Sequence, residues 1–171
     1  KGEIINADSM QVYKDLKIIT SRPVIEKQQN IKHHLYGYKS GNVRYNVYDW
    51  CVDCEKKIKE IINKKKYPII VGGTGLYFLS LLKGISDIPS IPEKIKIQSN
   101  QEFDKIGIKK FCEKVQKIDP LSFKKINKND SQRLKRIWEV YNYTGNTLND
   151  WNNKRQHKFI KDYIFNLILI L

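Results

Sequence analysis

Two short runs restrict the fold of this chain more than any other feature: "GEIINAD" at residues 2–8 and "YPIIVGGTG" at 67–75. Each is rich in β-branched residues and each stops at small or polar ones, as buried strands do on reaching the rim of a sheet. Between them, Cys51, Cys54, Ile58, Ile61 and Ile62 recur at helical spacing, behind a cap expected at Asp49, in a helix running to about Lys65. "LYFLSLLKG" (76–84) extends the second run as an apolar helix that Gly84 stops. Strand, long crossover, helix, strand, glycine turn and helix, in that order, demand parallel strands with helices on the faces. Such sheets bind ligands at the carboxyl ends of their strands. Asp8 and the Gly72–Gly75 turn both fall at that edge.

The remaining sequence divides by composition. "KQQNIKHHLYGY" (27–38) has no clean period and reads as a loop with an edge strand around Leu35 to Tyr38. "SDIPSIPEK" carries two prolines and reads as a linker. Residues 103–118 form an amphipathic helix with Ile108, Phe111, Cys112 and Val115 on one face. Asp130 caps a helix over "SQRLKRIWEVYNY" that ends at Gly145, with Leu134, Ile137, Trp138 and Tyr141 as its buried stripe. "KDYIFNLILIL" (161–171) returns to strand character and is too short to cross a membrane, which takes about 20 residues. The expected division is an α/β core over 1–84, a helical insertion over 85–155 and a return to the core over 156–171. Lys1 and Leu171 fall inside expected strands. Exposed strand edges are a liability, so a fragment is expected.

Lys and Arg outnumber Asp and Glu by 32 to 18, a net charge of +14. That excess favours a polyanionic partner, most simply nucleic acid. Biased codon usage also produces lysine-rich chains, so charge alone does not decide. Three cysteines without a framework fit a reducing, cytoplasmic setting. "CVDC" (51–54) is half of a zinc spacing, but no second pair exists and both sulfurs sit on an apolar helix face. Core thiols are the better reading. Neighbouring His33 and His34 seldom reach one metal and suit a hydrogen-bonding role.

Three motifs carry candidate chemistry. "GGTGLY" is not a Walker A loop, since no G-x-x-x-x-G-K-[ST] string occurs in the chain. Its backbone N–H groups can still meet an anion or an RNA backbone, or simply make a tight turn. "QRLKR" (132–136) places Arg133 and Arg136 on one helix side beside a favourable dipole, with Lys124, Lys125 and Lys128 preceding it. This pattern points to RNA more than to a plain solvated face. Asp8 is the candidate catalytic group, followed at once by Ser9 and Gln11, although a lone Asp at a strand end is often only a turn former.

"GEIINADSMQVY", "PIIVGGTGLY" and "NDSQRLKRIWEVYNYTG", with "KHHLYG" and "DPLSF", stand in the order and spacing of bacterial tRNA dimethylallyltransferases, also called tRNA isopentenyltransferases. The chain resembles that family over essentially its whole length. The resemblance implies a P-loop-kinase-like α/β core with a helical insertion. It implies transfer of a dimethylallyl group from dimethylallyl diphosphate to the exocyclic amine of the adenine beside the anticodon, with Mg²⁺ assisting the leaving group. Asp8 matches the family's general base. Ser9, Met10 and Gln11 match the rest of the first tRNA-contacting segment, and Gln132, Arg133, Leu134, Lys135 and Arg136 the second. Thr74 matches a position that meets the flipped-out nucleotide. Such chemistry needs an unstacked base and a carboxylate near the amine.

The chain departs from the family pattern in three places. The family's P-loop lies before residue 1 and its C-terminal part beyond Leu171. Ile19 and Arg22 replace the usual Gly and Lys of "IGTAKP". The isolated chain is therefore expected to be inactive, for want of the groups that grip the diphosphate, unless a complementing chain supplies them. A non-catalytic RNA-binding module and another P-loop phosphotransferase, such as a nucleotide kinase, are the competing readings.

Overall fold

A computed structural model describes residues 1–24, 30–154, 156–161 and 163–168. The chain forms two compact units, Lys1–Ile85 with Lys158–Leu171, and Ser86–His157.

In the first unit, β1 (Gly2–Asn6), β2 (His33–His34) and β3 (Tyr67–Val71) make a parallel sheet in the order β2-β1-β3. β1 pairs with β3 from Gly2↔Tyr67 through Asn6↔Val71, and with β2 through Ile4↔His33 and Ile5↔His34. The middle position explains why Ile5 and Asn6 are fully buried. β3 is not the buried strand expected. It has one neighbour in this sheet, and Tyr67, Ile69 and Val71 are exposed. A β-branched run announces a strand, but its place in the sheet order decides what covers it.

β2 also differs from expectation. It occupies His33–His34, and Leu35 then turns into the left-handed region (φ 62°), which an extended strand cannot pass through. Residues 27–29 of the expected loop lie outside the described residues.

The cap of helix α1 (Val47–Asn63) is Asn46, three residues ahead of the expected one. Asn46 accepts from the amides of Tyr48 and Asp49, and Asp49 returns a bond to the Asn46 amide. Asp49 is thus the far partner of a capping box, a role that also favours an acid. α1 buries Trp50, Cys51, Cys54, Ile58 and Ile61, and Ile62 packs partly buried beside them. Burial pushes the Cys51 thiol up to about 12 and raises that of Cys54 too, so both are core thiols. α2 (Gly75–Lys83) buries Tyr77, Ser80 and Leu81 and ends at Gly84, whose φ of 92° suits glycine. Trp50 stacks on Tyr77 at 4.3 Å between ring centroids.

Glu3 is buried on β1 between His34 and Lys66. His34 Nε2 lies 2.7 Å from one carboxylate oxygen and Lys66 Nζ 2.6 Å from the other. One acid on β1 thus ties β2 and the residue that precedes β3.

The second unit is largely helical, bounded by two-residue strands β4 (Ile85–Ser86) and β5 (Gln156–His157). α3 (Glu93–Ile118) begins well before the expected residue 103 and breaks direction at Gly107 (φ 73°, ψ 165°). Asp119 accepts from the Ser122 amide at 2.9 Å and caps α4 (Pro120–Phe123). Asp130 caps α5 (Ser131–Thr144) as expected, accepting from the Arg133 amide at 3.0 Å, and Gly145 (φ 70°) closes it. α6 (Leu148–Asn153) was not expected; Thr147 and Asp150 form its capping box. Leu134, Ile137 and Trp138 join Phe111, Val115 and Phe123 in the core. Val140 is fully buried, whereas Tyr141 is exposed and leaves the expected stripe.

Residues 163–168 form no strand, contrary to expectation, and Ile164, Leu167 and Ile168 are exposed. Apolar composition gives a strand only when a neighbour takes its backbone hydrogen bonds. Residues 162 and 169–171 of that run lie outside the described residues. Among the described residues, no helix is long and apolar enough to cross a membrane.

Candidate functional site

The carboxyl edge of the sheet is built by locking two turns together. Beyond β3, the Thr74 amide donates to the Ala7 carbonyl at 3.1 Å. The Ala7 amide donates back to Val71 at 2.7 Å. Gly72 makes this possible. A Cβ on it would sit 2.3 Å from the Ala7 carbonyl carbon and 2.7 Å from the Asp8 nitrogen, so only glycine lets the backbones meet. The Thr74 hydroxyl oxygen accepts from the Ser9 amide at 2.9 Å and donates to the Ser9 hydroxyl at 3.3 Å.

Asp8 turns the chain here. Its Oδ1 accepts from the amides of Met10 at 2.8 Å and Gln11 at 3.1 Å. The turn-forming reading of Asp8 is therefore correct, and it uses one oxygen. Oδ2 has no hydrogen-bond partner among the described residues. Met10 is exposed. Gln11 is committed to the fold, donating from Nε2 to the Thr20 carbonyl at 2.8 Å. The next residues run beside 37–39: the Gly37 amide donates to Gln11, and those of Tyr38 and Lys39 to Val12.

Arg22 closes this loop by donating from Nη1 to the Tyr13 carbonyl at 2.9 Å. Its guanidinium lies where a Cβ of Gly37 would be, at 1.8 Å, and Gly37 holds a φ of 54°. Arg22 thus acts as a clip on the loop. Ile19 is exposed, and the left-handed residue of the segment is Ser21 (φ 51°). On the far side, Tyr38 and Tyr45 both donate to Asp53 on α1, with Lys39 Nζ 3.3 Å from the same carboxylate.

Three contributors escape sequence reading. Asn6 is an interior polar residue bonded to both sides of Asp8. Trp50 donates its indole N–H to the Asn6 carbonyl at 2.8 Å. The Tyr36 hydroxyl is raised by burial and then by the negative charge of Asp8, which places it in the field of the candidate base. A polar residue inside an apolar run was the available signal for Asn6. Nothing local marks Tyr36.

In the second unit, Gln132, Arg133 and Arg136 are exposed at the start of α5. Arg133 Nε lies 3.3 Å from Asp130. Lys135 donates to Asn100 at 2.8 Å and sits 4.5 Å over the Phe103 ring. Leu134 is fully buried, as its place in the expected stripe requires, and anchors the helix. The structure thus brings Asp8, Ser9, Met10, Gln11 and Thr74 together in one unit, and Gln132, Arg133, Lys135 and Arg136 in the other.

No group of three His, Cys, Asp or Glu side chains able to hold a metal occurs among the described residues. The donors present among the described residues do not make a protein cage for the Mg²⁺ implied by the resemblance.

These features define an α/β protein that presents a carboxylate and a glycine turn at the carboxyl edge of a parallel sheet, with a basic helical unit inserted in the chain. A family model described as IPP transferase matches residues 11–170, and the chain belongs to that family. It is 48% identical over 159 residues to a tRNA dimethylallyltransferase of Pelagibacter ubique, covering 93% of this chain and 51% of the relative. It is 40% identical over 169 residues to that of Rickettsia canadensis, covering 99% and 52%. The crystal structure of a eukaryotic dimethylallyltransferase acting on tRNA matches with a TM-score of 0.75 and 31% identity, over 92% of this chain and 40% of that one. The chain therefore spans about half the length of the curated relatives it matches. Its fold is the P-loop-kinase-like parallel core with a helical insertion.

Proposed function

We propose that this chain supplies the nucleic-acid side of a tRNA dimethylallyltransferase site. The reaction joins the exocyclic amine of an adenine beside the anticodon to a dimethylallyl group. The N–C bond forms, the C–O bond to the diphosphate breaks, and the amine proton passes to Asp8. Dimethylallyl diphosphate is the co-substrate. Gln132, Arg133, Lys135 and Arg136 hold the anticodon stem-loop, and Ser9, Met10, Gln11 and Thr74 line the turns around the target base. The setting is cytoplasmic.

The observation that carries this reading is the Asp8 turn. One carboxylate oxygen fixes the side chain on two backbone amides, and the other is left to accept a proton. An arylamine is a weak nucleophile, and a positioned base speeds such a step by about 10²–10⁴-fold. These 171 residues hold no Walker A string, the kind of loop that grips a diphosphate. We therefore propose that the chain alone binds tRNA without transferring the prenyl group.

The test replaces the matching segment of the Pelagibacter ubique relative with this chain and measures transfer from labelled dimethylallyl diphosphate to tRNA. Transfer should occur and fall by about 10²–10⁴-fold in Asp8→Asn, which keeps the turn acceptor and removes the base. Unchanged transfer in Asp8→Asn defeats the assignment. This chain alone, run in parallel, should show salt-dependent tRNA binding and no turnover.

A further inference from the structure

We infer that Asn6 is the positioning residue for Asp8, an inference that rests on the proposed role of Asp8 as base. Asn6 is fully buried on the central strand, where an unpaired amide is costly. Its side chain is paired at both ends. Nδ2 donates to the Asp8 carbonyl at 2.9 Å and to the Leu35 carbonyl at 3.1 Å. Oδ1 accepts from the Asp8 amide at 3.0 Å. One side-chain amide thus holds the backbone on both sides of the Asp8 Cα.

The consequence is geometric. With the flanking peptide groups fixed, the carboxylate direction depends only on two side-chain torsions. The Met10 and Gln11 amides then fix those. Asn6 itself cannot shift. Trp50 grips its carbonyl at 2.8 Å, and Trp50 is buried and stacked on Tyr77. The bond to Leu35 anchors Asn6 to the end of β2, where Leu35 holds its left-handed φ. A base misplaced by about 1 Å loses much of its effect, so the clasp is a requirement of the chemistry as well as of the fold.

The test is an NMR titration of the full chain, following the Asp8 carboxyl carbon and the Met10 and Gln11 amides. In the native chain both amides should shift with Asp8 protonation. In Asn6→Ala, that linked response should shrink by at least half, while signals of α1 and of the second unit keep their native positions. A purely structural role would lower the melting temperature and leave the two amides tracking Asp8 in the folded molecule; that result overturns the inference. If Asn6→Ala does not fold, Asn6→Asp decides, because it keeps the acceptor for the Asp8 amide and removes both donations. It too should weaken the response, and an unchanged response overturns the inference. This readout needs no catalysis, so its failure is separable from failure of the transfer assay.

Discussion

The Ser9 backbone amide donates to the Thr74 hydroxyl oxygen at 2.9 Å, joining two turns 65 residues apart in sequence. Thr74 also donates to the Ser9 hydroxyl. Thr74→Val keeps the shape and removes both bonds, leaving the Ser9 amide unpaired. It should cost about 1–2 kcal/mol in chemical denaturation, and Thr74→Ser should restore most of that.

Gly72 and Gly73 should respond in opposite ways to the same change. A Cβ on Gly72 meets the Ala7 backbone at 2.3 Å, whereas one on Gly73 meets nothing within 4 Å. Gly72→Ala should destabilise by about 1–3 kcal/mol or more, since backbone has to move. Gly73→Ala should be near neutral. Equal melting temperatures for the two variants would contradict the close approach of the turns.

Glu3 makes stability depend on acid pH. Hydrogen bonds from Lys66 and His34 outweigh its burial and hold its carboxyl at about 2, against 4.5 for the free group. Because the folded value is depressed, the stabilisation is complete above about 4.5. It drains as pH falls from there toward 2. Denaturant midpoints measured across that window should drop more steeply for the native chain than for Glu3→Gln, which has no such proton to gain. Glu3→Gln should also be less stable at neutral pH.

Arg133 should matter for RNA and little for folding. It is well exposed, and its pair with Asp130 at 3.3 Å is a surface contact. Arg133→Ala should leave the melting temperature within a degree or two. It should weaken binding of an anticodon stem-loop and lower the slope of log affinity against log salt by about 0.7. An unchanged slope would remove Arg133 from the interface.

The elements near the site were largely legible, because their signals are local. β-branched runs gave β1 and β3, helical spacing gave α1 and α5, and Asp130 and Gly145 marked both ends of α5. The errors share a cause. Asp49 carries the composition of a cap, yet only the geometry of Asn46 shows which residue holds the free amides. Tyr141 lies at helical spacing from Trp138, but Val140 is buried instead. The apolar run at 163–168 has strand composition without a strand.

By itself, the sequence determined the parallel α/β order, the basic character of the chain, and the placing of Asp8 and the glycine turn at strand ends. These follow from periodicity and from residues that permit only certain backbones. Only the tertiary structure decided what those ends do to each other. Thr74 meets Ser9, Gly72 yields to Ala7, and Asn6 clasps Asp8 while reaching Leu35. The physical reason is that a hydrogen bond's worth depends on burial and on the partner's position, and neither is written in local spacing.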